Sequence, residues 1–156
     1  MGSRRFPGKL LTKLGNTPLI EWVIKRVKNT SLLDEIILAT TELPPDGALV
    51  NIADQHGVTA YRGSETDVLK RFCEAAVLAK AVNVVRICAD NPFIDPGEID
   101  RLISFFQLNN CDYACNHRDC LGSNYADGFG AEIFKTNMLL EINNCVKKGS
   151  HREHVT

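Results

Sequence analysis

The sequence lacks the features that mark membrane proteins, secreted proteins and proteins with a broad nucleic-acid-binding surface. No apolar run approaches the roughly 20 residues that a membrane-spanning helix needs. The amino terminus is basic, but no apolar core region follows it, so the pattern of a signal peptide is absent. The formal net charge is only -1, whereas a broad nucleic-acid-binding surface requires a positive excess. We therefore expect a cytoplasmic protein without membrane or nucleic-acid partners.

Internal repeats and low-complexity segments are also absent, so neither a repeat architecture nor a compositionally biased tract is predicted. The chain has 156 residues, of which 44% are hydrophobic. That length corresponds to one domain or part of one, and it suffices to bury a substantial core.

Cysteine is present, but not in a pattern that indicates disulfides or zinc. Without a signal peptide, we interpret the six cysteines as reduced thiols. Four potential metal ligands cluster in the second half of the sequence, but their spacing matches no closed zinc motif. These residues are Cys111, Cys115, His117 and Cys120.

Short apolar runs alternate with segments of helical periodicity. Strands are predicted at 35–40, 58–61, 84–89, 112–116 and 132–134, and a helix follows most of them. This alternation predicts an α/β fold with a mostly parallel sheet, in which ligands bind at the carboxyl ends of the strands. Helix starts are predicted at the N-cap candidates Thr17, Ser64, Asp95 and Thr136.

The first nine residues form the most distinctive stretch. Gly2 and Gly8 allow tight turns, Ser3 offers a hydroxyl, and Arg5 and Lys9 are cations. A loop rich in amides and cations can cradle a polyphosphate. Taken alone, the same stretch favours a solvated basic terminus over a phosphate-binding loop.

Three acidic residues are candidates for a functional site, and one of them, Asp90, is a candidate for metal binding. Asp90 follows an apolar strand, where it could hold a divalent cation over a polyphosphate or simply form a turn. Arg86, in the same strand, could be a salt-bridge partner or face a ligand. Asp127 and Glu132 flank two glycines, which fits a site but also an ordinary loop. The charged residues 151–154 are predicted to form a disordered tail.

Together these segments resemble the cytidylyltransferases that activate sugars for polysaccharide synthesis. Residues 1–9 resemble the MGSxRLPGK loop of that family, most closely its spore-coat polysaccharide branch, which is related to the acylneuraminate and 3-deoxy-manno-octulosonate cytidylyltransferases. Further matching segments follow in the same order along the chain, at 17–21, 37–41, 62–63, 67–69, 85–92, 112–116, 127–128 and 152–156.

The resemblance implies a nucleotide-diphospho-sugar transferase fold, which is a Rossmann-like three-layer sandwich. The implied reaction joins CMP from CTP to a sugar acid or related sugar and releases pyrophosphate, with Mg²⁺ as cofactor. The implied catalytic residues are Arg5, Lys9 and Asp90. The implied nucleotide-binding residues are Gly2, Ser3, Arg5, Lys9, Arg62 and Asp67, and the implied metal ligands are Asp90 and Glu132, with Asp127 as a further candidate.

The sequence departs from the family pattern in three respects. The family begins with an apolar strand before the basic loop and continues well past 152–156. We therefore expect residues 1–156 to form a single nucleotidyltransferase domain that is a fragment without its first strand and carboxyl-terminal part. Ala89 replaces a common Gly, and Gly130 replaces a common Asp, which removes one potential metal ligand.

Two alternatives to a cytidylyltransferase remain open from the sequence. One is a glycosyltransferase of similar fold, although an Asp-x-Asp motif is absent around Asp90. The other is a non-catalytic nucleotide-binding module or an inactive fragment. The resemblance allows a homodimer, and it does not identify the sugar.

Overall fold

The computed structural model describes residues 6–116, 129–147, 149–153 and 155. These residues alternate between strands and helices, which confirms the predicted α/β class. The helices are α1 (Leu19–Val27), α2 (Gly47–Gln55), α3 (Val68–Leu78), α4 (Pro96–Leu108) and α5 (Thr136–Cys145). The strands are β1 (Lys13–Leu14), β2 (Thr17–Pro18), β3 (Ile37–Thr41), β4 (Thr59–Gly63), β5 (Asn83–Arg86), β6 (Tyr113–Cys115) and β7 (Glu132–Lys135).

The strands form three small sheets. β3 and β4 pair in parallel, with Ile37 opposite Thr59 and Thr41 opposite Gly63. A second sheet has the strand order β5–β7–β6, and β1 with β2 forms a short antiparallel ribbon. The predicted parallel pairing is therefore confirmed for β3 and β4, whose carboxyl ends lie at the same edge.

The chain divides into two compact units. The first comprises Met1–Asp34 and Val85–Ile133, and the second comprises Glu35–Val84 and Phe134–Thr156. That the whole chain forms a single domain stays a prediction. Within the described residues, no helix combines the length and apolar character needed to cross a membrane.

Each unit buries apolar side chains from its own helices. In the first unit, α1 and α4 contribute Ile20, Val23, Ile24, Val27, Ile99, Leu102, Ile103 and Phe106. In the second unit, α3 packs against α5, and the buried side chains include Leu49, Ala53, Leu69, Cys73, Ala76, Phe134 and Leu139. The helical periodicity of the sequence thus identified the buried faces correctly.

One of the four predicted helix starts is confirmed and three are wrong. Asp95 caps α4 by accepting a hydrogen bond from Glu98 N at 3.1 Å. Asp67, rather than Ser64, caps α3, because its side chain accepts a hydrogen bond from Lys70 N. The Ser64 hydroxyl accepts a hydrogen bond from Asp67 N, before the helix begins. Thr17 is paired in β2, and the N-cap of α1 is Pro18. Thr136 is the first residue of α5 rather than its cap, and the N-cap is Lys135.

The predicted strand at 84–89 is shorter than expected. β5 ends at Arg86 because the carbonyl of Cys88 accepts a hydrogen bond from Asn91 N at 3.1 Å, which closes a turn. Asp90 therefore lies inside this turn rather than at the end of a strand. The turn carries its carboxylate clear of the sheet, with 37% of the side chain exposed.

Candidate functional site

Lys9 and Asp90 form an ion pair in the first unit. Gly8 adopts the left-handed backbone conformation, with φ 72°, and starts the short 3-10 helix Lys9–Leu11. Only glycine adopts this conformation readily, so Gly8 fixes the direction in which Lys9 leaves the loop. Lys9 Nζ donates a hydrogen bond to Asp90 Oδ2. The structure thus brings together two residues that the sequence had selected separately.

A second ion pair links the strands of the β5–β7–β6 sheet. Glu132, the first residue of the middle strand β7, is 2% exposed. Its Oε2 accepts a hydrogen bond from Arg86 Nη1 at 2.5 Å, and its Oε1 accepts one from Tyr113 Oη at 3.0 Å. The carboxylate therefore connects the end of β5 with the start of β6, and burial of its charge is compensated by Arg86.

The two ion pairs share one neighbour, the thiol of Cys88. Burial raises the pKa of this thiol, Arg86 and Lys9 lower it, and Asp90 and Glu132 raise it. Both ion pairs therefore act electrostatically on the same thiol. The cluster formed by Lys9, Asp90, Arg86 and Glu132 is neutral in sum, and we call it the charged cluster.

Tyr113 was not singled out by the sequence analysis. Burial first, and then Cys115 and Glu132, raise the pKa of its phenol, so the hydroxyl remains a hydrogen-bond donor. The signal available in the sequence was a tyrosine two residues before Cys115 in a strand, which places both on one face. Its partner on another strand could not be inferred from spacing.

The charged cluster fits a divalent cation at Asp90 better than at Glu132. Mg²⁺ is commonly held by one or two carboxylates together with substrate phosphates. Asp90 is part exposed, whereas Glu132 would have to release Arg86 or Tyr113 to coordinate a metal. Among the described residues, no group of three or more His, Cys, Asp and Glu side chains is placed to hold a metal. The metal-binding roles of both residues stay predictions.

Several predicted site residues lie outside the residues that the structure describes. They are Gly2, Ser3, Arg5 and Asp127, together with the metal-ligand candidates His117 and Cys120. Elsewhere in the first unit, the exposed rings of Phe93 and Phe129 stack with centroids 6.0 Å apart. Neither ring was selected from the sequence.

Arg62 and Asp67 belong to the second unit, where both make structural contacts. Arg62 donates hydrogen bonds to three consecutive carbonyls, at 3.0 Å to Thr41, 2.8 Å to Glu42 and 3.0 Å to Leu43. It therefore holds the segment that follows β3. The predicted role of Arg62 in nucleotide binding stays a prediction.

Asp67 is bound by an arginine from the end of the chain. Its Oδ2 accepts from Arg152 Nε at 2.8 Å, while Oδ1 accepts from Lys70 N at 2.9 Å. Burial raises the pKa of Asp67, but the hydrogen bond from Arg152 and further favourable interactions lower it overall. The expectation of a disordered tail at 151–154 was wrong for Arg152, which is hydrogen-bonded. Val155, which follows this segment, is buried. The predicted nucleotide-binding role of Asp67 stays a prediction.

A buried carboxylate at the carboxyl end of β3 was missed by the sequence analysis. Asp46 is 1% exposed, and its Oδ2 accepts from Thr40 Oγ1 at 2.9 Å and from Thr41 Oγ1 at 2.6 Å. Burial raises the pKa of Asp46, but hydrogen bonds, those from Thr41 and Thr40 among them, outweigh burial and lower it to about 2. The two adjacent threonines were the available signal.

Comparison with known proteins identifies the family. A family model described as cytidylyltransferase matches residues 1–147, which include every predicted site residue. The chain belongs to the cytidylyltransferase family. The matched range contains the basic loop, the turn that carries Asp90 and the strand that begins with Glu132.

Two relatives match nearly the whole of this chain. The chain is 36% identical over 155 residues to an uncharacterised protein of Methanocaldococcus jannaschii, covering 99% of this chain and 61% of the relative. It is 30% identical over 161 residues to the spore coat polysaccharide biosynthesis protein SpsF of Bacillus subtilis, covering 100% of this chain and 65% of that protein. The chain thus spans less than two thirds of the length of these relatives.

A solved cytidylyltransferase structure has the same fold. The chain superimposes on a cytidylyltransferase from Leptospira borgpetersenii with a TM-score of 0.92 and 29% identity, covering 99% of this chain and 65% of that one. The Rossmann-like fold expected from the sequence is therefore confirmed.

Proposed function

We propose that this chain carries the nucleotide site of an enzyme that transfers CMP from CTP to a sugar hydroxyl and releases pyrophosphate. The observation that carries the proposal is the Lys9–Asp90 ion pair. It brings a cation from the basic loop to the carboxylate that the family resemblance assigns to the metal. Family membership supplies the reaction class.

In this proposal the residues of the chain act by positioning and by neutralising charge. The Lys9 ammonium binds a phosphate oxygen of CTP, and the amides and cations of Gly2, Ser3 and Arg5 complete the triphosphate cradle. The oxygen of the acceptor hydroxyl forms a bond to the α-phosphorus and its proton passes to water, while the bond from that phosphorus to the bridging oxygen breaks. Pyrophosphate leaves with that oxygen.

The proposed cofactor is Mg²⁺, and Asp90 is the residue that would hold it. When bound, the metal would neutralise negative charge on the phosphate oxygens that it shares with the protein. Glu132 would act mainly through Arg86 and Tyr113, whose positions it fixes. Among the carboxylates of the charged cluster, the part-exposed Asp90 is the one that a solvated ion can reach.

The proposed acceptor is a sugar acid or a related sugar, because the sequence resembles enzymes that activate such sugars. The product would serve polysaccharide or glycan synthesis. A site that consumes CTP also suits the cytoplasmic location expected from the sequence. The homodimer allowed by the resemblance belongs to the same proposal, and sedimentation velocity would test it.

The test is calorimetric titration of CTP into the chain with and without Mg²⁺. We expect binding that requires Mg²⁺ and that weakens at least about tenfold, or 1.4 kcal/mol, in Asp90→Asn. Asp54→Asn, an exposed carboxylate on α2, is the matched control and should bind as the unmodified chain does. Folded protein that binds no CTP would refute the proposal, and sugar transfer from a preformed nucleotide sugar would favour a glycosyltransferase.

A further inference from the structure

We propose that Lys9 is the counter-cation of Asp90 in the free protein and weakens the binding of a divalent metal there. When a triphosphate binds, the Lys9 ammonium pairs with phosphate instead of Asp90, and the metal can bind. In the free protein the ammonium occupies the position on Asp90 that a metal would take. Nucleotide and metal then bind together rather than metal first. The inference rests on the proposed function, since it describes how the same site is regulated.

The contact itself is the first observation. Lys9 Nζ lies directly on Asp90 Oδ2, and the two residues are 81 positions apart in the sequence. A carboxylate carries one negative charge, so an ammonium and a metal ion compete for it. A cation that binds Asp90 in the free protein therefore meets a carboxylate whose charge Lys9 already neutralises.

The second observation is the difference between the two ion pairs of the charged cluster. The side chains of Lys9 and Asp90 are 34% and 37% exposed, whereas those of Arg86 and Glu132 are 22% and 2% exposed. Glu132 also holds Tyr113, so the Arg86 pair is fixed on both sides. Because water reaches both groups, the Lys9–Asp90 pair is the one in which other ligands can replace a partner.

A triphosphate offers Lys9 a stronger partner than Asp90 does. It carries several negative charges and many acceptor oxygens, while Asp90 offers one charge. Once Lys9 turns to phosphate, the freed carboxylate and the phosphate oxygens together form an oxygen site of the kind that Mg²⁺ prefers. Binding of each ligand therefore strengthens binding of the other, as linkage requires.

This mechanism predicts that removing the positive charge of Lys9 increases the affinity for a divalent metal in the absence of nucleotide. A lysine with only a structural role would not produce such a gain. The probe is Mn²⁺, whose free concentration is measured by electron paramagnetic resonance. The variants are Lys9→Met, Lys13→Met as an exposed control of equal charge change, and the double variant Lys9→Met/Asp90→Asn.

We expect Lys9→Met to bind Mn²⁺ about fivefold more tightly than the unmodified chain, as is typical of losing a competing, part-exposed ion-pair partner. Lys13→Met should differ from the unmodified chain by less than about twofold, since exposed charges are screened by salt. The double variant should not show the tighter Mn²⁺ binding expected of Lys9→Met, because it lacks the Asp90 carboxylate. Unchanged Mn²⁺ binding in Lys9→Met, or a gain that survives Asp90→Asn, would overturn the proposal.

A parallel CTP titration separates this inference from the proposed function. Mg²⁺-dependent CTP binding with unchanged Mn²⁺ affinity in Lys9→Met would overturn the counter-cation role and leave the function standing. Tighter Mn²⁺ binding in Lys9→Met with no CTP binding by either protein would support the competition at Asp90 and overturn the function. Lys9→Met should also weaken CTP binding where the unmodified chain binds it.

Discussion

At the scale of single residues, the two most buried carboxylates in the described part of the chain, Glu132 and Asp46, have different partners. Glu132 faces the guanidinium of Arg86, so a full positive charge opposes its own. Asp46 instead accepts hydrogen bonds from hydroxyl and amide groups that include those of Thr40 and Thr41. Both arrangements stabilise the ionised form, and each leads to a separate prediction.

Asp46 should make the protein sensitive to acid. Its pKa is lowered from 3.8 to about 2, so the stabilisation is complete above the unfolded value and disappears as the pH falls through the folded value. Between about pH 6 and pH 2, the free energy of unfolding should fall by about 2 kcal/mol more in the unmodified chain than in Asp46→Asn. Urea titrations across that range measure the difference. An equal pH dependence in both proteins would contradict the assigned hydrogen bonds.

Glu132→Gln should destabilise the first unit. The substitution retains the shape of the side chain but leaves Arg86 without its counter-charge, and breaking a buried pair costs about 3 kcal/mol. Urea unfolding at neutral pH measures this loss. Glu141→Gln, which changes an exposed glutamate of α5, is the control and should alter the free energy of unfolding by less than about 0.5 kcal/mol. Equal effects of the two substitutions would show that the Arg86 pair contributes nothing.

At the scale of secondary-structure elements, Arg152 connects the start of α3 with the end of α5. Besides its bond to Asp67, its Nη1 donates to the carbonyls of Asn143 and Val146 at 3.0 and 2.7 Å. Its Nη2 donates to Asn143 Oδ1 at 2.6 Å. The last carbonyls of a helix have no partner within that helix, so Arg152 satisfies groups that would otherwise need water.

Arg152→Lys should loosen this connection while preserving the charge. Lysine cannot reproduce the planar fork that reaches Asp67 and Asn143 together. We expect the free energy of unfolding to fall by about 2 kcal/mol, and amide exchange to accelerate in the last turn of α5. Arg101→Lys, on an exposed side chain of α4, should leave exchange in α5 unchanged. Unaltered exchange in Arg152→Lys would show that other contacts hold the helix end.

The same scale shows what the sequence could predict about elements. Hydrophobic periodicity identified the helices and their buried faces because those depend on local spacing. Their first residues were harder to predict, because Ser64 and Asp67 are both good caps and only the backbone geometry selects between them. The early end of β5 depends on a turn hydrogen bond from Asn91 N, which a run of apolar residues does not reveal.

At the scale of the whole molecule, the α/β class, the parallel pairing of β3 with β4 and the family followed from the order of segments along the chain. The five cysteines within the described residues are free thiols. That they are reduced in the cell stays a prediction. The contacts between distant segments did not follow from the sequence. Lys9 and Asp90 were each selected for separate reasons, and spacing gives no information on whether residues so far apart meet.

The only tryptophan of the chain provides an optical reporter close to the basic loop. Trp22 lies on α1, is 39% exposed, and donates its indole hydrogen to the carbonyl of Leu14 at 3.0 Å. Leu14 belongs to the ribbon that begins four residues after Lys9. Indole emission responds to local polarity, so its wavelength and quenching by iodide would register a rearrangement of this ribbon. Nucleotide binding to the loop could thus be followed in solution without an attached dye.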